Sequence, residues 1–151
     1  GKAMKILDAH HELRLNRSFV KEAALLHDIG IFQTDAPGIQ CFGENPYIAH
    51  GYLGAEILRA EGFPQHALVC ERHTGAGLSL QEIIDRQLPI PHREMLPVTM
   101  EEQLICFADK FYSKTKLDKE KSVEKVKQGL SKYGNDTVMR FDNWCKLFLG
   151  E

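Results

Sequence analysis

The first residues in this chain whose types and spacing could do chemistry are the adjacent pair His27 and Asp28. They follow Ala23-Ala24-Leu25-Leu26, an apolar run that should draw the Asp28 carboxylate out of water. A charge in that position is costly unless it is paired or bound to a metal. Taken alone, a His-Asp pair at a helix end is more often a hydrogen-bonded cap than a ligand. The pattern recurs farther along. His50 lies among Ile48, Ala49 and Leu53, His73 closes the stretch holding Val69 and Cys70, and Asp109 follows Cys106-Phe107-Ala108. Each of these, singly, reads as a satisfied polar residue of a core. Jointly, three imidazoles and two carboxylates on four helices form the mixed nitrogen and oxygen donor set that binds transition metals. With no thiolate among them, the set favours iron or manganese over calcium and is compatible with zinc or magnesium.

Donors this far apart in sequence meet only if helices assemble them. Apolar residues recur at helical spacing along most of the chain and alternating β-branched runs are absent, which predicts an all-α fold. A first helix carries Ala3, Ile6, Leu7 and Ala9 and ends between His10 and Leu13. Asn16 or Ser18 caps a second, whose Phe19, Val20, Ala23, Ala24, Leu25 and Leu26 predict nearly complete burial up to a stop at Gly30. From Ile31 to Asn45, Asp35-Ala36-Pro37-Gly38 and Gly43 predict a loop. Pro46 opens a helix that runs to Gly62, and Pro64 opens the next, with Ala67, Leu68 and Cys70 inward, ending at Thr74-Gly75-Ala76-Gly77. Ser79 and Glu82 have capping-box spacing at the head of a short helix to Gln87. Pro89, Pro91 and Pro97 make Leu88 to Val98 a second loop. Thr99 and Glu102 then start the helix that carries Leu104, Ile105, Phe107, Ala108, Asp109 and Phe111. Two amphipathic helices follow, one using Val123, Val126 and Leu130, the other Val138, Phe141, Cys145 and Phe148.

At 151 residues the chain is the size of one ordinary domain. Hydrophobic residues make up 43%, and no stretch approaches the roughly 18 consecutive apolar residues that span a bilayer, so no membrane partner is expected. A net charge of −2 gives no general field for a polyanion, so general nucleic-acid binding is not expected either. Cys41, Cys70, Cys106 and Cys145 form no C-x-x-C pair, which fits reduced thiols and a cytoplasmic location. The helical pattern begins at Gly1-Lys2-Ala3-Met4 without an initiator Met or a cap, so residues are expected upstream.

Through Ala23-Ala24-Leu25-Leu26-His27-Asp28-Ile29-Gly30 and the later Phe107-Ala108-Asp109-Lys110, the chain resembles the HD superfamily of metal-dependent phosphohydrolases. The resemblance covers roughly Lys2 to Lys114. It implies a domain core over 1–114, with 115–151 bracing the same domain. It also implies an all-α bundle in which His27, Asp28 and Asp109 hold one metal. Members with two metals add two histidines, matching His50 and His73, and Asp28 would then bridge. The family's first metal-binding His usually lies one long helix upstream of the pair, which places it before Gly1. His10 and His11 stand too near His27 for that role and are expected at the surface. A narrower resemblance, in Glu71-Arg72-His73-Thr74-Gly75-Ala76-Gly77-Leu78 with Gln81-Glu82-Ile83-Ile84, is to HD-family hydrolases that cleave dinucleoside polyphosphates, where the His-Thr turn lies beside the metals.

The resemblance implies a small phosphorylated substrate, a nucleotide in the first instance, attacked by a water that two divalent metals acidify. Asp28, Thr74 and Lys110 are then the expected catalytic residues, with Arg72 and Lys114 as further cations for the developing charge. Both predicted loops are expected to border the pocket, with His92 and Arg93 either available to a phosphate or simply exposed loop residues. The lysines between Lys114 and Lys132, interleaved with Asp118, Glu120 and Glu124, read as a solvated helix face. The same donors would also serve a di-iron oxygenase of the HD type, and an incomplete set would serve a non-catalytic nucleotide sensor. An oligomer is compatible with all three.

Overall fold

The computed structural model describes residues 1–36, 41–43, 45–112 and 119–150, and the side chains of residues 32, 35, 36, 41 and 42 are not among what it describes. Its α-helices are α1 (Lys2–Ala9), α2 (Arg17–Leu26), α3 (His50–Ala60), α4 (Pro64–Glu71), α5 (Leu80–Asp85), α6 (Met100–Asp109), α7 (Val123–Leu130) and α8 (Asn135–Leu149). The all-α expectation holds. Among the described residues the one regular ladder is β1 (Asp35–Ala36) against β2 (Cys41–Phe42), two residues a side, inside the segment expected as a loop. Pro37 and Gly38 of that segment lie outside the described residues.

Local chemistry starts the helices where the caps predict. The Asn16 side chain accepts from the Phe19 amide at the head of α2, and Thr99 with Glu102 completes a reciprocal capping box at the head of α6. Ser79 accepts from the Glu82 amide, but the expected box there is only half made. The Glu82 carboxylate turns instead to Arg140 of α8, 3.0 Å away. That guanidinium also donates to the carbonyls of Ala76 and Gly77 at 3.1 and 3.0 Å, which ties α8 to the turn following His73.

Helix α2 departs from the expectation of near-complete burial. Val20 and Ala23 are buried, whereas Leu25 is 78% exposed. Ser18, Lys21, Glu22 and Leu25 follow the i, i+3, i+4, i+7 spacing of one helical face, and all four are exposed. The helix also ends at Leu26 rather than Gly30, and a 3₁₀ turn, Ile29–Gln33, takes over after Asp28. His27 and Asp28 thus occupy the break between the two. On α4, Val69 is buried, while Leu68, expected inward, is only partly so.

The turn after Asp28 lies directly on the backbone of α3. A Cβ built on Gly30 would stand 2.3 Å from both the Gly54 amide nitrogen and the His50 carbonyl oxygen. One on Gly54 would stand 2.5 Å from Cys70 Sγ. The Cys70 thiol donates to the His27 carbonyl at 2.9 Å, so three segments cross where only hydrogen fits. The main core forms on the other side of α2, from α1, α6, α7 and α8. Phe107 of α6 meets Phe111, Phe141 and Phe148 with ring centroids 5.1 to 5.3 Å apart. Residues beyond 114 therefore share the core that fixes α6.

Gly30→Ala should lower the free energy of unfolding by roughly 3 kcal/mol, because backbone atoms on both sides must move to admit a methyl group. Gly129→Ala, on α7 with open space beside it, should raise it by about 0.5–1 kcal/mol. Urea denaturation of the two variants checks the pair, and equal effects would contradict the backbone crossing.

Candidate metal centre

Each of the three imidazoles is held in the same way. His27, His50 and His73 point Nδ1 at the carbonyl three residues earlier: Ala24 at 2.6 Å, Tyr47 at 2.9 Å and Cys70 at 2.6 Å. A carbonyl only accepts, so each Nδ1 carries a proton and each Nε2 is left to the interior of the cluster. Helix ends make this local bond available. His27 caps the C-terminus of α2, His50 opens α3 after a 3₁₀ turn, and His73 stands just past the end of α4.

Asp28 stands among the three. Its Oδ2 is 3.2 Å from His27 Nε2, and its Oδ1 is 3.4 Å from His50 Nε2 and 3.2 Å from His73 Nε2. Asp109, the last residue of α6, brings Oδ1 to 2.9 Å from His27 Nε2. Lys110 donates to Asp109 Oδ2 at 2.9 Å and to the His73 carbonyl at 2.7 Å, fixing both. Donor atoms of His27, His73 and Asp109 lie within 4.8 Å of one another, as do those of Asp28, His50 and His73. All five predicted ligands therefore converge, in two groups that share His73.

The electrostatics follow from this packing. Burial opposes charge on His27, but hydrogen bonds to Asp109 and Asp28 prevail and raise it to about 10. Complete burial pushes His73 down to about 4. Burial alone would raise the Asp28 pKa, and the three imidazoles instead hold it far below the usual carboxylate range. His50 Nε2 lies 2.8 Å from His73 Nε2. Imidazole nitrogen with carboxylate oxygen is a donor set suited to a divalent metal. The residues present fit the group.

Two cavities meet the cluster. One, of about 300 Å³, is lined by Tyr47, His50, His73, Thr74, Asp109 and Lys110, and on its far wall by Lys121, Lys125, Lys132 and Tyr133. The other, of about 340 Å³, exposes His27, Asp28 and Asp109 beside Ala3, Ala24 and Ala108. Thr74 is thus brought to the site, while Arg72 is not. Its guanidinium pairs with buried Glu102 at 2.8 Å, away from either cavity. Arg93 also serves structure: with Arg59 it clasps the buried Glu71 carboxylate, and His92 is exposed. No described residue of the two expected border loops lines either cavity, and Lys114 lies outside the described residues. His10 bonds Glu12 and His11 is exposed, as expected.

The lysines read as a solvated face are largely so: Lys125 and Lys132 are exposed and Lys121 is half-buried. Lys121, Lys125 and Lys132 form a wall of the cavity, because α7 packs its Val126 and Leu130 into the core and turns this side toward the imidazoles. Their spacing was visible in the sequence; the direction of that face was not.

The family model described as HD domain matches residues 2–114. Among curated proteins, an uncharacterized protein of Methanocaldococcus jannaschii is 41% identical over 98 residues, 64% of this chain and 50% of its own. A Picrophilus torridus protein named tRNA (cytidine(56)-2'-O)-methyltransferase is 31% identical over 137 residues, 90% of this chain and 34% of its own. A Thermoplasma volcanium protein of the same name is 34% identical over 97 residues, 64% of this chain and 25% of its own. This chain thus spans half or less of the length of these relatives. No solved structure matches it.

With His27 raised to about 10, its Nε2 holds a proton at neutral pH that a metal must displace. Metal binding at pH 7 should therefore release about one proton from this group, and affinity should rise by up to about tenfold per pH unit below the His27 pKa. Calorimetry in buffers of different ionisation enthalpy measures the proton. Binding without proton release would show that His27 is not a ligand.

Proposed function

The chain belongs to the HD domain family, and from that premise we propose that it is a metal-dependent phosphohydrolase acting on a small phosphorylated substrate, a nucleotide in the first instance. The observation that carries this reading is the convergence of His27, Asp28, His50, His73 and Asp109 in two three-donor groups that open onto cavities. A divalent metal held there supplies an acidified water as nucleophile and positive charge for the phosphoryl oxygens.

The chain's own residues supply the rest. The shared Nδ1 bonds keep all three imidazoles in the tautomer that ligates through Nε2. Asp28 presents one oxygen to His27 and the other to His50 and His73, so both would be available to hold metal. Lys110 holds Asp109 and the His73 carbonyl in register while its ammonium adds charge at the cavity. The Thr74 hydroxyl, on the same cavity wall, is a donor for a phosphoryl oxygen.

The match covers only 34% and 25% of the relatives named as tRNA methyltransferases. An imidazole and carboxylate cluster is the chemistry of a metal site, and we assign the matched region a hydrolytic role rather than the one in that name.

Protein purified without chelator should carry divalent metal and release phosphate from a nucleotide panel with added Mn²⁺ under anaerobic conditions. Because His73 belongs to both donor groups, His73→Asn should lose more metal than His27→Asn or His50→Asn, by elemental analysis. Asp28→Asn should lower kcat/KM by about 10³-fold or more. Phosphate release that persists in metal-free protein would overturn the reading, and turnover that requires dioxygen would point to oxidation instead.

A further inference from the structure

Lys121, Lys125 and Lys132 have no part in the hydrolytic arrangement above, yet they line the same cavity as His50, His73 and Asp109. All three lie beyond residue 114, where the family match ends. Lys121 precedes α7, Lys125 is in its first turn and Lys132 is in the short turn that follows it. Lys125 and Gly129 stand one turn apart on α7, with Lys121 and Lys132 flanking its two ends. Gly129 lines the cavity too, and a Cβ there would meet nothing within 4 Å.

These lysines differ from others in the chain. Lys2 is paired with Glu120 at 2.9 Å, Lys110 with Asp109 at 2.9 Å and Lys127 with Asp142 at 2.6 Å. Among the described residues no carboxylate stands within ion-pair distance of Lys121, Lys125 or Lys132, as is true also of Lys5, Lys21 and Lys119, but among these lysines only the first three line the cavity, Lys132 with its ammonium 5.1 Å over the Tyr133 ring. On a chain of net charge −2 this is a local concentration of positive charge, in a concave wall that focuses it on whatever enters. The cluster of imidazoles and carboxylates already accounts for a single phosphoryl group. Three more cations call for further negative charge on the same ligand. Lys125 and Lys132 are separated by a helical rise of about 10 Å, roughly the reach of a short phosphate chain. A cavity of about 300 Å³ is at the small end for ligand sites, which suits a free nucleotide rather than a nucleic-acid strand.

We propose that the C-terminal segment is a substrate-binding wall in which Lys121, Lys125 and Lys132 hold the distal phosphates of a nucleotide carrying a phosphate chain. This rests on the hydrolase reading for the placement of the reacting phosphoryl group at the imidazoles. The lysines themselves bind and orient; they are not catalytic residues.

The test is calorimetric titration of the full chain, with Mg²⁺ in excess in both solutions. The probes are inorganic imidotriphosphate, whose P–N–P links resist hydrolysis, and inorganic phosphate. The triphosphate analogue should bind at least tenfold more tightly than phosphate, with an affinity that falls steeply with added salt. The variant Lys121→Gln/Lys125→Gln/Lys132→Gln should remove that preference. Gly129→Glu should weaken it at least tenfold by placing a carboxylate on the same wall, at a helical position where replacing glycine does not threaten folding. Equal affinities for the two probes, or a preference unchanged in both variants, would overturn the proposal. So would a single-stranded oligonucleotide that displaces the triphosphate analogue at equal concentration of phosphate groups. Lysine-dependent binding without turnover of any nucleotide would sink the hydrolase reading and leave the wall standing. Metal-dependent turnover indifferent to the lysines would do the reverse.

Discussion

Asp28 imposes the constraint on which the site depends. Its carboxylate keeps a quarter of its side-chain surface exposed and faces three imidazole nitrogens within 3.4 Å. Removing one partner from such a group leaves a poorly solvated charge, at a cost of several kcal/mol in general. The imidazoles must therefore arrive together, from the end of α2, the start of α3 and the residue beyond α4. Each is aimed by a bond to the carbonyl three residues earlier, so the aim is local although the meeting is not. Lys110 extends the same logic to Asp109, since one ammonium joins that carboxylate to the backbone of His73.

Close backbone crossing makes that meeting possible. Gly30 and Gly54 let the turn after Asp28 lie on α3 with no side chain between them, and Cys70 of α4 reaches the His27 carbonyl over the same gap. A larger residue at either glycine would separate the donors that the cluster needs close. On the far side, Arg140 holds the turn after His73 through the Ala76 and Gly77 carbonyls. The C-terminal helices thus bear on the site twice, once through this clasp and once through the lysine wall. The HD match ends at residue 114, and Lys121, Lys125 and Lys132, which line the cavity, lie beyond it.

Much of this was legible in the sequence because the signals are local. Capping residues started α2 and α6 where expected, Pro64 opened α4, and helical periodicity set the all-α class, although α3 begins only at His50 and α4 stops at Glu71, short of the glycines. The burial of Phe107, Phe141 and Phe148 followed from the same periodicity. The five donors were legible because polar residues in apolar helices are conspicuous and because the His-Asp motif resembles a known family. Leu25 misled, since an apolar residue counts toward a face only if the helix turns that way, and Ser18, Lys21 and Glu22 show that it does not.

What the sequence by itself determined is the identity of the donors and the helices that carry them, because both rest on residue type and short-range spacing. Only the tertiary structure decided which cations meet the site. Arg72, adjacent to His73 in the chain, is turned to Glu102, while Lys121, Lys125 and Lys132 reach the cavity from a distant segment. A long cationic side chain is free to face water or a partner, and the choice belongs to the packing of α7 and α8 on α6. That packing is a property of surfaces brought together by folding, which no local pattern records.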